Sequence, residues 1–100
     1  MKNKDVKIDP RLHTAGILAR IVDEKKGYKE ISGVFAVRVR NQNSSLVIMT
    51  DYVPALGQID GDVSFLTEND EVLYKDIKGF YKHKDNVFTL IVEQTSKGWY

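Results

Sequence analysis

Val34-Phe35-Ala36-Val37-Arg38-Val39-Arg40 alternates apolar and polar residues toward its end. Successive side chains of a β-strand point to opposite faces, so Phe35, Val37 and Val39 are expected on one face and Ala36, Arg38 and Arg40 on the other. An apolar face backed by a basic one is the pattern of a strand buried on one side. Working outward, Ile17, Leu18, Ile21 and Val22 suggest an earlier strand that ends at the charged turn Asp23-Glu24-Lys25-Lys26-Gly27. The helix-like spacing of Leu18, Ile21 and Val22 is too short to indicate a helix. Downstream, Asn41-Gln42-Asn43-Ser44-Ser45 reads as a polar loop and Leu46-Val47-Ile48-Met49 as a short buried strand.

The rest of the chain repeats this rhythm. Asp51 to Gly57 is too rich in Pro and Gly for a strand interior, and Asp60-Gly61-Asp62 reads as turn chemistry. Val63 and Phe65 alternate with polar neighbours, Glu68-Asn69-Asp70-Glu71 is a turn, and Val72 and Tyr74 open another strand. Gly79-Phe80 is expected to bend or bulge the chain, because a glycine within a strand usually has a packing reason. Lys82 to Asn86 reads as a charged turn before a last strand from Val87 to Glu93. Short strands at this spacing indicate an all-β sandwich or barrel in one domain; the expectation adopted is a sandwich of about eight to ten short strands over residues 17–94, after an arm at 1–16 and before a tail at 95–100. The expected core is Ile21, Phe35, Val37, Val39, Leu46, Ile48, Val63, Phe65, Phe88 and Leu90.

Composition narrows function more than it defines it. The chain has 100 residues, no Cys, and 15 Lys+Arg against 14 Asp+Glu. A near-neutral balance offers no basic field for wrapping nucleic acid. Without Cys there are no disulfides, thiolate nucleophiles or Cys-ligated metals, which fits a reducing, cytoplasmic compartment. The charged start lacks the apolar run of a signal peptide, and no stretch approaches the ~20 apolar residues of a membrane span.

Catalytic chemistry finds no constellation to rest on. His13 and His83 have no metal-ligand spacing around them, and His83, in Lys82-His83-Lys84-Asp85, reads as a solvated surface histidine. Ser44-Ser45 lacks a nucleophile elbow, the acids Asp60, Asp62, Asp70 and Glu71 read as turn residues, and the glycines form no phosphate loop. No cofactor and no catalytic residue is expected. Phe80 and Tyr81, with Lys75, Lys78, Lys82 and Lys84, hold open the alternative of a small nucleic-acid-binding barrel; edge-strand lysines explain the same residues as protection against aggregation. An assembly adaptor of a larger machine is a further alternative.

Against this background, Ile77-Lys78-Gly79-Phe80-Tyr81-Lys82-His83-Lys84-Asp85-Asn86-Val87-Phe88-Thr89-Leu90-Ile91 resembles the last hairpin of the β-domain of the epsilon subunit of F1-type ATP synthases, where Gly-Gly-Phe is followed by Asp-Asn and an alternating strand. Leu46 to Leu56 looks like that family's Gly-Ile-Leu-Pro-Gly-His-Ala-Pro-Leu segment, and Gly61-Asp62-Val63-Ser64-Phe65 like its following strand. The resemblance covers residues 17 to 94 in order. It departs at Lys78, Ser44 and Val47, which stand for glycines, and at Asp51-Tyr52, which stands for Gly-His.

The resemblance implies a non-catalytic central-stalk subunit of an F1-type or F1-like ATPase, docked on the gamma subunit within a hetero-oligomer and stabilising rotary coupling. It implies protein partners and no nucleic acid, with a membrane rotor ring, or a replacement for it, beneath. The location would be cytoplasmic, peripheral to the membrane through the complex. The family's C-terminal helical hairpin has no counterpart after Gln94, so its inhibitory and ATP-binding roles are not expected. Partner contact is expected at Asn43 and Ser44 in the loop and at Asp51, Tyr52, Val53 and Pro54 in the turn, both toward the ring-facing end. For Tyr52 to Pro54 a turn packed on its own core stands beside the contact reading.

Overall fold

The computed structural model describes residues 16–95. Six strands follow one another: β1 (Ile17–Asp23), β2 (Gly27–Asn41), β3 (Ser45–Met49), β4 (Ala55–Thr67), β5 (Glu71–Lys84) and β6 (Val87–Thr95). They lie in the order β1-β6-β5-β4-β2-β3, and β1 also pairs with β2. That extra pairing closes β1, β2, β4, β5 and β6 into a five-strand barrel, with β3 carried on the outer part of β2. Neighbours are antiparallel except β1 and β6, which run parallel from Leu18 beside Val87 to Asp23 beside Val92. The described residues are all-β, as the alternation predicts.

The described residues form six strands rather than eight to ten because the long ones bend instead of breaking. In β2, Gly33 takes a φ of 67° and an extra residue bulges opposite β1, while Phe35 is the extra residue opposite β4. In β5, Asp76 at a φ of 56° lies in a bulge opposite Gly61 and Val63. In β6, Glu93 is unmatched beside Lys78 and Gly79. A bulge inserts one residue, kinks the strand and sharpens its twist, which is how so few strands close on themselves. Asp60-Gly61-Asp62, expected as a turn, therefore lies inside β4. The irregularity expected at Gly79 falls on the facing strand, where Glu93 is the inserted residue, and the glycine has a direct packing reason: a Cβ there would lie 1.9 Å from the Ile91 carbonyl oxygen.

Tight turns join the strands. Asp85 and Asn86, both at positive φ, connect the paired residues Lys84 and Val87, the two-residue type I′ geometry whose twist matches that of a hairpin. At the β1–β2 turn the Asp23 Oδ1 accepts from the N–H groups of Lys25 and Lys26 at 2.8 and 3.2 Å. Gly27 closes that turn at a φ of 88°.

The core lies inside the barrel. Ile17, Ala19, Ile21, Val34, Val37, Val39, Ile48, Ile59, Val63, Phe65, Ile77, Phe88, Leu90 and Val92 are buried there, and Leu46 packs against them from a partly exposed position. Phe65 meets Phe88 and Tyr74 edge-on, at centroid distances of 5.7 and 6.0 Å, and Tyr81 stacks on Phe88 at 5.5 Å.

Two expectations about individual side chains are overturned. Phe35 is 48% exposed, because the bulge resets the alternation and puts Val34 inside in its place. His83 is fully buried rather than solvated, since it lies inside β5 between Ala55 and Phe88 with its inward parity.

Candidate functional site

The residues expected to meet a partner fall at the two ends of β3. Asn43 and Ser44 are exposed in the loop before it, where the Asn41 N–H donates to the Ser44 carbonyl at 2.8 Å. Asn41 also braces this end against β4: its Oδ1 accepts from the Asp60 N–H at 2.7 Å and its Nδ2 donates to the Gln58 carbonyl at 3.2 Å. Asp51 to Pro54 follow β3 at its far end. Between the two groups β3 itself spans four residue steps, roughly 14 Å of extended strand. The two groups therefore lie at opposite ends of β3.

The turn after β3 is the more constructed of the two. The Tyr52 N–H donates to the Met49 carbonyl at 3.1 Å, and Asp51, at a φ of 66°, occupies the position of a type II turn that favours Gly or Asn. Asp51 stands where the resembling family carries Gly, and the geometry explains why. Its own N–H and carboxylate are held by Asn86 of the β5–β6 turn. Asn86 reaches a third element through its carbonyl, which accepts from the Leu18 N–H at 2.9 Å. Beside this junction a concavity of about 320 Å³ is lined by Asp51, Tyr52, Pro54, Asp85 and Asn86.

Within the turn the side chains divide. Tyr52 packs against the core and meets the His83 ring edge-on at 6.4 Å. Val53 is 67% exposed, and Pro54 is exposed beside it. The reading of a turn packed on its own core thus describes Tyr52, while Val53 and Pro54 face outward. Beneath it, neither ring nitrogen of His83 has a hydrogen-bond partner. Burial pushes this imidazole below its ordinary pKa, with the Asp85 carboxylate opposing weakly, so the neutral ring is the stable form.

A second groove, of about 310 Å³, opens between the β1–β2 turn and the first half of β5, lined by Ile21, Asp23, Lys29, Val72 and Tyr74 among others. Burial, and then the Asp23 carboxylate, raise the Tyr74 phenol above its usual range. No acyl-transfer or acid–base pair converges in it. Among the described residues no three His, Asp or Glu side chains gather as metal ligands. Phe80 and Tyr81 do not form the aromatic platform of a nucleic-acid site: Phe80 is exposed on the outside, while Tyr81 turns inward onto Phe88. His13, Trp99 and Tyr100 lie outside the described residues.

The class defined by this architecture is a small closed β-barrel with a sixth strand on its side and no assembled catalytic group among the described residues. Solved structures share this fold. Over 94% of this chain and 60% of the other, it superimposes on a chain of the cryo-EM structure of the Euglena gracilis mitochondrial ATP synthase (OSCP, F1 and c-ring) with a TM-score of 0.69 and 16% identity. A chain from the central stalk and c-ring of the Tetrahymena thermophila mitochondrial ATP synthase gives a TM-score of 0.63 at 18% identity, over 78% of this chain and 63% of that one. This chain therefore spans under two thirds of the length of either. No protein-family model and no curated protein matches it. At these identities the shared property is the fold.

Proposed function

We propose that this chain is a non-catalytic subunit of the central stalk of an F1-type or F1-like rotary ATPase, docking on the gamma subunit and stabilising rotary coupling. The observation that carries the reading is the superposition on an ATP synthase chain over 94% of the molecule. The sequence resemblance at Gly79-Phe80 and Asp85-Asn86 supports it independently, because both pairs occupy positions the fold constrains. A closed barrel suits such a part mechanically. Its strands are tied edge to edge, and all five turns between the described strands are braced by side-chain or backbone bonds, so it can carry load without an internal hinge.

The contact would involve Val53 and Pro54, which the Asp51–Asn86 junction holds outward, with Asn43 and Ser44 at the other end of β3 meeting a separate surface. The test is a tagged pull-down from the source cells at moderate salt, with absorbance checked for nucleic acid. Stoichiometric recovery of ATPase alpha, beta and gamma chains is the expected result. Recovery of RNA or DNA, or of none of those chains, would overturn the assignment.

A further inference from the structure

Among the exposed apolar side chains of the described residues, four stand in one row across neighbouring strands on the outside of the barrel. Tyr28 of β2 pairs with Val22 of β1, Val22 with Ile91 of β6, and Ile91 with Phe80 of β5. All four point outward, with exposures of 58, 42, 44 and 42%. Leu56, 80% exposed, sits diagonally beside Phe80, opposite Lys82. A continuous exposed apolar band across several strands is a mark of an interaction site, whereas single exposed apolar residues are ordinary.

The backbone beneath the band restricts what can cover it. β1 and β6 are paired along both edges here, so the face presents side chains and no free ladder groups. Strand addition is excluded, because it needs an open edge. The partner must satisfy its own backbone, and the band is one row wide. It crosses four strands, about 14 Å at the usual inter-strand spacing. The apolar stripe of an amphipathic helix, at i, i+4, i+7 and i+11, covers about 16 Å and has the matching width.

Charge sets the orientation. On one side of the band lie Arg20, Lys82 and Lys84, with Glu30 as the acid among them. Arg20, itself exposed, is engaged by Glu30 at 3.6 Å, and Lys82 and Lys84 are exposed on the same side. The other side is mixed, with Glu24, Lys26, Lys78 and Glu93. The geometry points to a protein partner whose amphipathic helix lies across Tyr28, Val22, Ile91 and Phe80 with an acidic flank toward Lys82 and Lys84.

The surface is testable separately from the stalk assignment. With Ile91 replaced by the photo-crosslinking residue p-benzoylphenylalanine, the full chain is expressed in its source cells, irradiated, and the crosslinked peptide is mapped. The expected crosslink falls in a segment with apolar residues at helical spacing and Asp or Glu on one flank. Adding Lys82→Glu and Lys84→Glu should lower its yield at least roughly tenfold, while Glu93→Lys should leave it within about twofold. These positions are exposed, so unchanged melting of the variants shows that the barrel is intact. A crosslink to a second copy, to a basic or non-helical segment, or to nothing overturns the inference. Gamma recovered in the pull-down without a crosslink at position 91 would remove this surface and leave the stalk assignment standing; an acidic helix from outside any ATPase would do the reverse.

Discussion

Asp51 and Asn86, 35 residues apart, hold each other by two reciprocal hydrogen bonds: the Asp51 N–H donates to Asn86 Oδ1 at 2.7 Å, and Asn86 Nδ2 donates to Asp51 Oδ1 at 3.1 Å. Both residues have left-handed backbones, with φ of 66° and 61°. Each turn thus presents the polar group that the other needs, and the β3–β4 turn is fastened to the β5–β6 hairpin.

This junction should separate backbone freedom from hydrogen bonding. Asn86→Gly keeps the left-handed conformation and removes both bonds, so it should cost about 1 kcal/mol. Asn86→Ala adds the strain of a left-handed Cβ-bearing residue with no local hydrogen bond and should cost more. Asp51→Gly loses a bond but relieves its own backbone, and should be the mildest. Urea unfolding of the three variants gives the order.

His83 should make the barrel acid-sensitive. Its folded pKa is lowered by burial, so the unfolded chain binds the proton more readily. The stabilisation from the neutral ring is complete above the unfolded value of about 6.5 and is lost as pH falls from there toward the folded value. Tm measured from pH 7.5 down to pH 5 should decline, before most carboxylates titrate. In His83→Leu the decline should flatten, and stability at neutral pH should rise because two unpartnered buried nitrogens are removed. An identical slope in both proteins would show that another group governs it.

Gly79→Ala should be among the most damaging small substitutions. The added methyl carbon would lie 1.9 Å from the Ile91 carbonyl oxygen and 3.2 Å from the Val92 Cα, so two strands must separate. The loss should exceed the ~1 kcal/mol typical of a point substitution. Thermal denaturation checks it, with the hairpin amides of β5 and β6 expected to lose hydrogen-exchange protection.

Two phenylalanines should respond in opposite ways. Phe65→Ala removes a fully buried ring and should cost about 3–5 kcal/mol. Phe35→Ser, at the exposed bulge, should stay within about 0.5 kcal/mol. Equal losses would place Phe35 back in the core.

Much of this architecture can be read from alternation. Val37, Val39, Ile48, Val63, Phe65, Phe88 and Leu90 enter the core at the parity their strands predict, because a half-buried strand must repeat every two residues. The reading fails at Phe35, where one inserted residue reverses the parity, and at His83, where polar neighbours imitate a turn inside a strand. The outward band was within reach of the same logic: β6 has apolar residues at both parities, Phe88, Leu90 and Val92 inward and Ile91 outward. What alternation cannot provide is which residues of different strands stand side by side.

By itself, then, the sequence determined an all-β chain, the location of most inward positions, and the glycine and Asp-Asn turns, since these depend on local backbone sterics and a two-residue period. Only the tertiary structure decided closure by the β1–β2 and β1–β6 pairings, the burial of His83, the separation of Asn43 and Ser44 from the turn at Asp51, and the alignment of Tyr28, Val22, Ile91 and Phe80. Register between strands distant in sequence is set by the packing of the closed barrel and by where its bulges fall, and no local pattern encodes it.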